Sequence, residues 1–114
     1  MANSFKSETD KEIGTSAATV FTCASSTETT VIGLSVANRV SSQILIDVEL
    51  DASSRTSGAE DKVFLVKDAP IPVGGSLVVV GGDQKLVMEP GDTIKVTSDT
   101  ASSADVVLSH LDIT

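Results

Sequence analysis

The sequence predicts an all-β domain, an antiparallel, jelly-roll-like β-sandwich of about eight strands, and three observations carry that prediction. First, the aliphatic residues are mostly β-branched: of 15 Val, 7 Ile and 8 Leu, 22 are Val or Ile, side chains that suit a pleated surface better than a helix. Second, the apolar stretches are short and are divided at close intervals by Gly, Pro, Ser and Asp, the spacing of a sandwich or barrel. Third, about eight strands between residues 17 and 114 leave no length for a crossover helix, so neighbouring strands must pair antiparallel.

At 114 residues and 11.7 kDa the chain is the size of one domain with one core. The aromatic share is 3%, with three Phe and neither Tyr nor Trp, so that core must be aliphatic. Residues 1–16 are polar and charged without a period. They are expected to form a flexible N-terminal arm preceding a sandwich over 17–114.

The first strand is expected from about Thr19 to Ala24, with Phe21 and Cys23 on one face and Val20 and Thr22 on the other. Ser25 to Glu28 turn the chain into a second strand, Thr29 to Asn38, where Ile32, Leu34 and Val36 alternate with Gly33, Ser35 and Ala37. The small residues of that outer face imply that something packs closely there. The third strand has the plainest period of two: Ile44, Ile46, Val48 and Leu50 share one face while Asp47, Glu49 and Asp51 share the other. A Ser/Thr/Gly-rich loop, Ala52 to Asp61, follows and is expected to be the most mobile part of the body.

A fourth strand, Lys62 to Lys67, holds Val63, Phe64, Leu65 and Val66 without alternation, as a strand covered on both faces would. The next turn, Ala69 to Gly75, holds Pro70, Pro72, Gly74 and Gly75; each proline fixes φ and lacks an N–H, so the segment cannot be central strand. The fifth strand, Ser76 to Val80, is apolar, and Gly81-Gly82-Asp83 turn into a sixth, Lys85 to Met88. Glu89-Pro90-Gly91-Asp92 places Pro and Gly where the two central positions of a tight turn want them. The seventh strand, Thr93 to Thr97, sets Ile94 and Val96 against Lys95 and Thr97, and the eighth runs from Ala104 to about Ile113.

A formal charge of −8 and a pI near 4.3 argue against nucleic-acid binding, which cations drive by neutralising phosphates. An anionic membrane surface is disfavoured for the same reason, and no apolar run reaches the roughly 18 residues that span a bilayer. One cysteine allows no internal disulfide. The first residues lack the apolar core of a signal peptide, so synthesis in the cytoplasm without export is expected.

Three places could hold chemistry. His110 is the single histidine, flanked by Ser109 and Asp112 on one strand. Because successive strand residues point to opposite faces and a hydrolytic triad converges from separate elements, it is expected to pack or hydrogen-bond rather than catalyse. Cys23 lacks a base beside it in sequence and is expected to be a buried thiol acting as a small hydrophobe. Asp47, Glu49 and Asp51 stand about 7 Å apart on one face. They are expected to be solvated or to dock a basic neighbour, since calcium requires six or more oxygens gathered by a loop. Gly74-Gly75 and Gly81-Gly82 are turn residues, because no helix and no Gly-Lys-Ser/Thr follows them. The expectation is therefore no catalytic residue, no metal ligand and no cofactor.

Several of these segments together carry a resemblance. Thr19-Val20-Phe21-Thr22-Cys23, Val31 to Asn38, Ala69-Pro70-Ile71-Pro72-Val73-Gly74, Glu89 to Ile94 and Val106 to Leu111, in that order, resemble small β-sandwich virion proteins of tailed bacteriophages, cyanophage-like ones above all. The resemblance spans about residues 17–114. Such relatives often have Tyr and Pro where this chain has Phe21 and Ala24, so the lead into the second strand departs from the pattern. What the resemblance implies is a structural role: decorating the head as an accessory particle component, or building neck, tail or baseplate. It implies other virion proteins as partners, self-association in rings, trimers or a lattice, and location in the virion after assembly in the host cytoplasm. A carbohydrate or cell-surface binding module on a fibre is the alternative, against which the missing Tyr and Trp weigh, because sugar sites lean on aromatic platforms.

Overall fold

The computed structural model describes residues 2–55 and 61–114. Among them are nine strands and no helix: β1 (Asn3–Ile13), β2 (Ala18–Thr22), β3 (Glu28–Asn38), β4 (Ile44–Asp51), β5 (Lys62–Ile71), β6 (Ser76–Val80), β7 (Leu86–Met88), β8 (Thr93–Ser98) and β9 (Ala104–Ile113). One sheet runs β1-β9-β3-β6, with β7 also paired to β3, and the other runs β2-β8-β4-β5. Every pairing is antiparallel. Counting β6 and β7 as one interrupted strand against β3, the winding is that of a jelly roll. The predicted sandwich is what the chain forms.

The core lies between the sheets. It takes Val31, Leu34 and Val36 from β3, Ile44, Ile46, Val48 and Leu50 from β4, Ile94 and Val96 from β8, and Val106 and Leu108 from β9. Burying each aliphatic side chain contributes about 1.5–3 kcal/mol. This is how a chain with so few rings holds together. The alternation expected in β4 and β8 is present residue for residue, and β9 buries Ala104, Val106, Leu108 and His110 in turn.

Five expectations are corrected. Asn3–Ile13 is not a flexible arm but strand β1, paired along its length with β9. It was unreadable as a strand because both its faces are polar: it lies at the sheet edge and buries only Ile13. In β3 the register slips between Val31 and Gly33, so Val31 replaces Ile32 in the core row. A slip between Thr19 and Phe21 in β2 likewise breaks the expected two-face division of that strand. The run Lys62 to Lys67 is not covered on both faces: β5 is an edge strand, with Val63 40% and Phe64 51% exposed. The turn expected from Ala69 starts later, because β5 continues to Ile71: its edge position accommodates Pro70, which pairs opposite Leu45 and need not donate to a second neighbour. Of the loop Ala52 to Asp61 expected to be mobile, residues 56–60 lie outside the described residues.

The tight turn after β7 has the predicted chemistry. Asp92 N–H donates to the Glu89 carbonyl at 3.0 Å, and Gly91 takes φ 90°, a conformation that costs other residues.

Candidate functional site

Strand β9 aims Val106, Leu108 and His110 inward, and Asp112 follows on the same side two residues on. Ser109 points to the opposite face. His110 is 1% exposed and stacks on Phe21 from the facing sheet, ring centroids 4.3 Å apart and tilted 35°. Its Nδ1 lies 2.9 Å from Asp112 Oδ1 and its Nε2 lies 2.9 Å from Glu8 Oε2 of β1. Thr29 of β3 donates its hydroxyl to Asp112 Oδ1 at 2.8 Å, and the Cys23 thiol donates to Thr29 Oγ1 at 3.3 Å. A polar chain thus runs Cys23, Thr29, Asp112, His110, Glu8.

Its geometry fits a clasp. Both ring nitrogens of His110 lie within hydrogen-bond distance of carboxylates of the chain itself, and the ring is buried. Cys23 faces a hydroxyl and carbonyls, not a base, and burial pushes its thiol up from the ordinary value. The thiolate a nucleophile needs is thereby disfavoured. What the chain of hydrogen bonds does is tie β1, β9 and β3 together at one end of the sandwich. Proximity of His110 to Asp112 was legible as an i, i+2 strand pair. Glu8 was not, because its segment showed no strand period.

A second polar anchor joins residues far apart in the sequence. Asp92 is wholly buried and takes the Arg55 guanidinium, Nε donating to Oδ1 and Oδ2 at 3.1 Å each. Its Oδ2 also accepts the Glu89 N–H at 3.0 Å. Around it, Cys23 N–H donates to the Asp92 carbonyl and Gly91 N–H to the Cys23 carbonyl, both at 2.9 Å. The turn between β7 and β8 is therefore riveted to the end of β2.

Two of the three carboxylates on β4, Asp47 and Asp51, have partners inside the chain. Asp47 accepts from Lys67 Nζ at 3.2 Å and from the Asp68 N–H at 2.8 Å. Asp51 accepts from the Ser53 hydroxyl at 2.6 Å, from the Ser53 N–H at 3.0 Å and from Lys95 Nζ at 3.2 Å. Glu49 stands opposite Lys95 in register. The Ser53 bonds foremost, then Lys95, hold the Asp51 carboxyl down at about 2. Because its folded-state value lies below the ordinary carboxylate range near 3.9, Asp51 stabilises the fold above that range and stops doing so as pH falls through about 2. Asp51→Asn is expected to lower the melting temperature at neutral pH, with the gap to the parent closing as the pH is lowered from about 4 to 2; a gap independent of pH would contradict this.

The outer faces of the two sheets differ. That of β2-β8-β4-β5 carries Asp47, Glu49, Asp51 and Lys95. The outer face of β1-β9-β3-β6 presents three successive cross-strand rows without a charge. Phe5, Leu111, Thr30 and Val87 form one row. Ser7, Ser109 and Gly33 form the next. Thr9, Val107, Ser35 and Val78 form the third. Between Val107 and Val78 lies a shallow open groove of about 280 Å³ floored by Gly33, Ser35 and Ser109. Gly33 and Ser35, two of the three small residues expected under a close contact, are here, and Ala37 stands in the next row beside Asp105. Four of the large apolar side chains exposed among the described residues, Phe5, Val78, Val87 and Val107, stand on this face.

Among the described residues no group of three or more His, Cys, Asp or Glu could hold a metal ion, and no helix is long and apolar enough to cross a membrane. Comparison with protein-family models, with curated proteins and with solved structures found no match.

Proposed function

We propose that the chain is a bacteriophage virion structural protein, a capsid decoration or other accessory particle component acting through protein–protein contacts. The observation that carries this reading is the uncharged outer face of the β1-β9-β3-β6 sheet. A chain with 24 charged residues in 114 that keeps three rows free of them has a surface suited to being covered, since charged residues are depleted from interface cores. Two further points support it. The segment order resembles that of small phage virion proteins, and the jelly-roll winding recurs in viral capsid domains, the latter by analogy of fold alone. The polar clusters add stability rather than reactivity: His110, Cys23 and Asp92 are each engaged inside the domain.

Placement on the tail, neck or baseplate is the alternative within the same class. Cosedimentation tests the class. Purified chain mixed with gradient-purified particles lacking it is expected to pellet with them and to saturate, while a glycan array stays blank. Glycan binding without particle binding would replace this reading with a cell-surface module.

A further inference from the structure

We propose that the outer face of the β1-β9-β3-β6 sheet is the contact between two copies of this chain, packed sheet to sheet about a two-fold axis. The inference rests on the face and not on the virion reading, and a dimer in solution would leave that reading open.

Charge selects the occupant. At −8 overall, two copies repel wherever carboxylates meet. A basic partner would gain most from the acidic surfaces elsewhere on the domain. The charge-free rows are where a second acidic chain can approach without placing carboxylate against carboxylate.

Size sets the strength. Three cross-strand rows about 7 Å apart on four strands about 4.8 Å apart give a charge-free footprint of roughly 400 Å² per copy, half of the roughly 800 Å² per partner that is typical of stable complexes, so the contact is a weak one. Shape agrees as well. Val78 is 67% exposed and Val107 49%, and they stand as ridges beside the groove floored by Gly33, Ser35 and Ser109. A two-fold axis lets the ridges of each copy enter the groove of the other, the self-complementarity that an isologous contact requires. Face-to-face sheets pack about 10 Å apart when small residues allow it.

Light scattering after size exclusion, run on the full chain from about 1 to 200 µM, reads the outcome. The parent is expected at twice 11.7 kDa in the upper part of that range. Val107→Glu and, separately, Val78→Glu put carboxylates on the face and are expected to raise the dissociation constant at least about tenfold, because each pair of copies then opposes like charges in a desolvated contact. Val63→Glu adds the same charge on β5, away from the face, and is expected to change it less than about twofold. Both face positions are exposed, so circular dichroism melts should match the parent. A mass of 11.7 kDa throughout the range would overturn the proposal and leave the face to a different protein. A dimer insensitive to both face variants, or equally weakened by Val63→Glu, would overturn it too.

Discussion

Replacing Asp92 by Ala is expected to destabilise the domain by about 3 kcal/mol, a large part of the 5–15 kcal/mol that a domain of this kind has. Asp92 is completely buried, and the substitution removes the acceptor for both the Arg55 guanidinium and the Glu89 N–H. Breaking a buried pair from one side costs about 3–5 kcal/mol when the remaining charge cannot reach water. Arg55 is partly exposed and can turn outward, so the lower end applies. The turn that carries Asp92 is also bonded to Cys23 in both directions, which spreads the damage to the end of β2. Asp92→Asn keeps an acceptor for Glu89 and should cost about half as much. Urea unfolding followed by circular dichroism measures both; an Ala variant within about 0.5 kcal/mol of the parent would contradict the assignment.

The second large effect is expected at His110. His110→Ala leaves a cavity against Phe21 and strips two carboxylates of their partner, a combined cost of about 3–5 kcal/mol. The loss should also have a direction. Glu8 anchors β1 through the ring, so hydrogen exchange should accelerate first in β1, while β4 and β8 keep their protection. Glu8→Ala isolates that part of the effect: it is expected to loosen β1 at about 1.5–3 kcal/mol, the range for a hydrogen bond to a charged group, with the core left intact. Uniform exchange across all strands in either variant would mean that the clasp does not hold β1 in particular.

How much of this was legible in the sequence follows from where each segment sits. β4 and β8 lie within their sheets with one face on the core and one polar face outward, so a period of two is written into the chain, whereas β9, also internal, carries Val107 and Leu111 outward and shows no such period. β1 lies at an edge. Its inward side meets His110 through Glu8, and Lys6 and Asp10 also stand on that side, so the strand is polar on both faces and resembles a tail. β5 misled in the opposite sense: an apolar run suggested burial on both faces, yet Val63 and Phe64 stand largely open. Single-residue slips in β2 and β3 lie below what a periodic pattern can resolve.

The anchors follow the same division. His110 and Asp112 are two residues apart on one strand, so their meeting could be anticipated from pleat geometry alone. Arg55 and Asp92 stand 37 residues apart and join only because the turn after β7 folds back over the loop after β4. In the sequence Asp92 showed itself only as a turn residue. The outer face was partly visible as the small residues Gly33 and Ser35. The adjoining Val78, Val87 and Val107 come from strands whose order no local pattern reveals.

A domain that works as a surface within an assembled particle, as proposed, must be present there in a set number of copies. In particles purified on a density gradient from the system that encodes it, quantitative mass spectrometry should find the chain at a fixed multiple-copy ratio to the major structural protein. A chain abundant in the producing cells and missing from those particles would contradict the account.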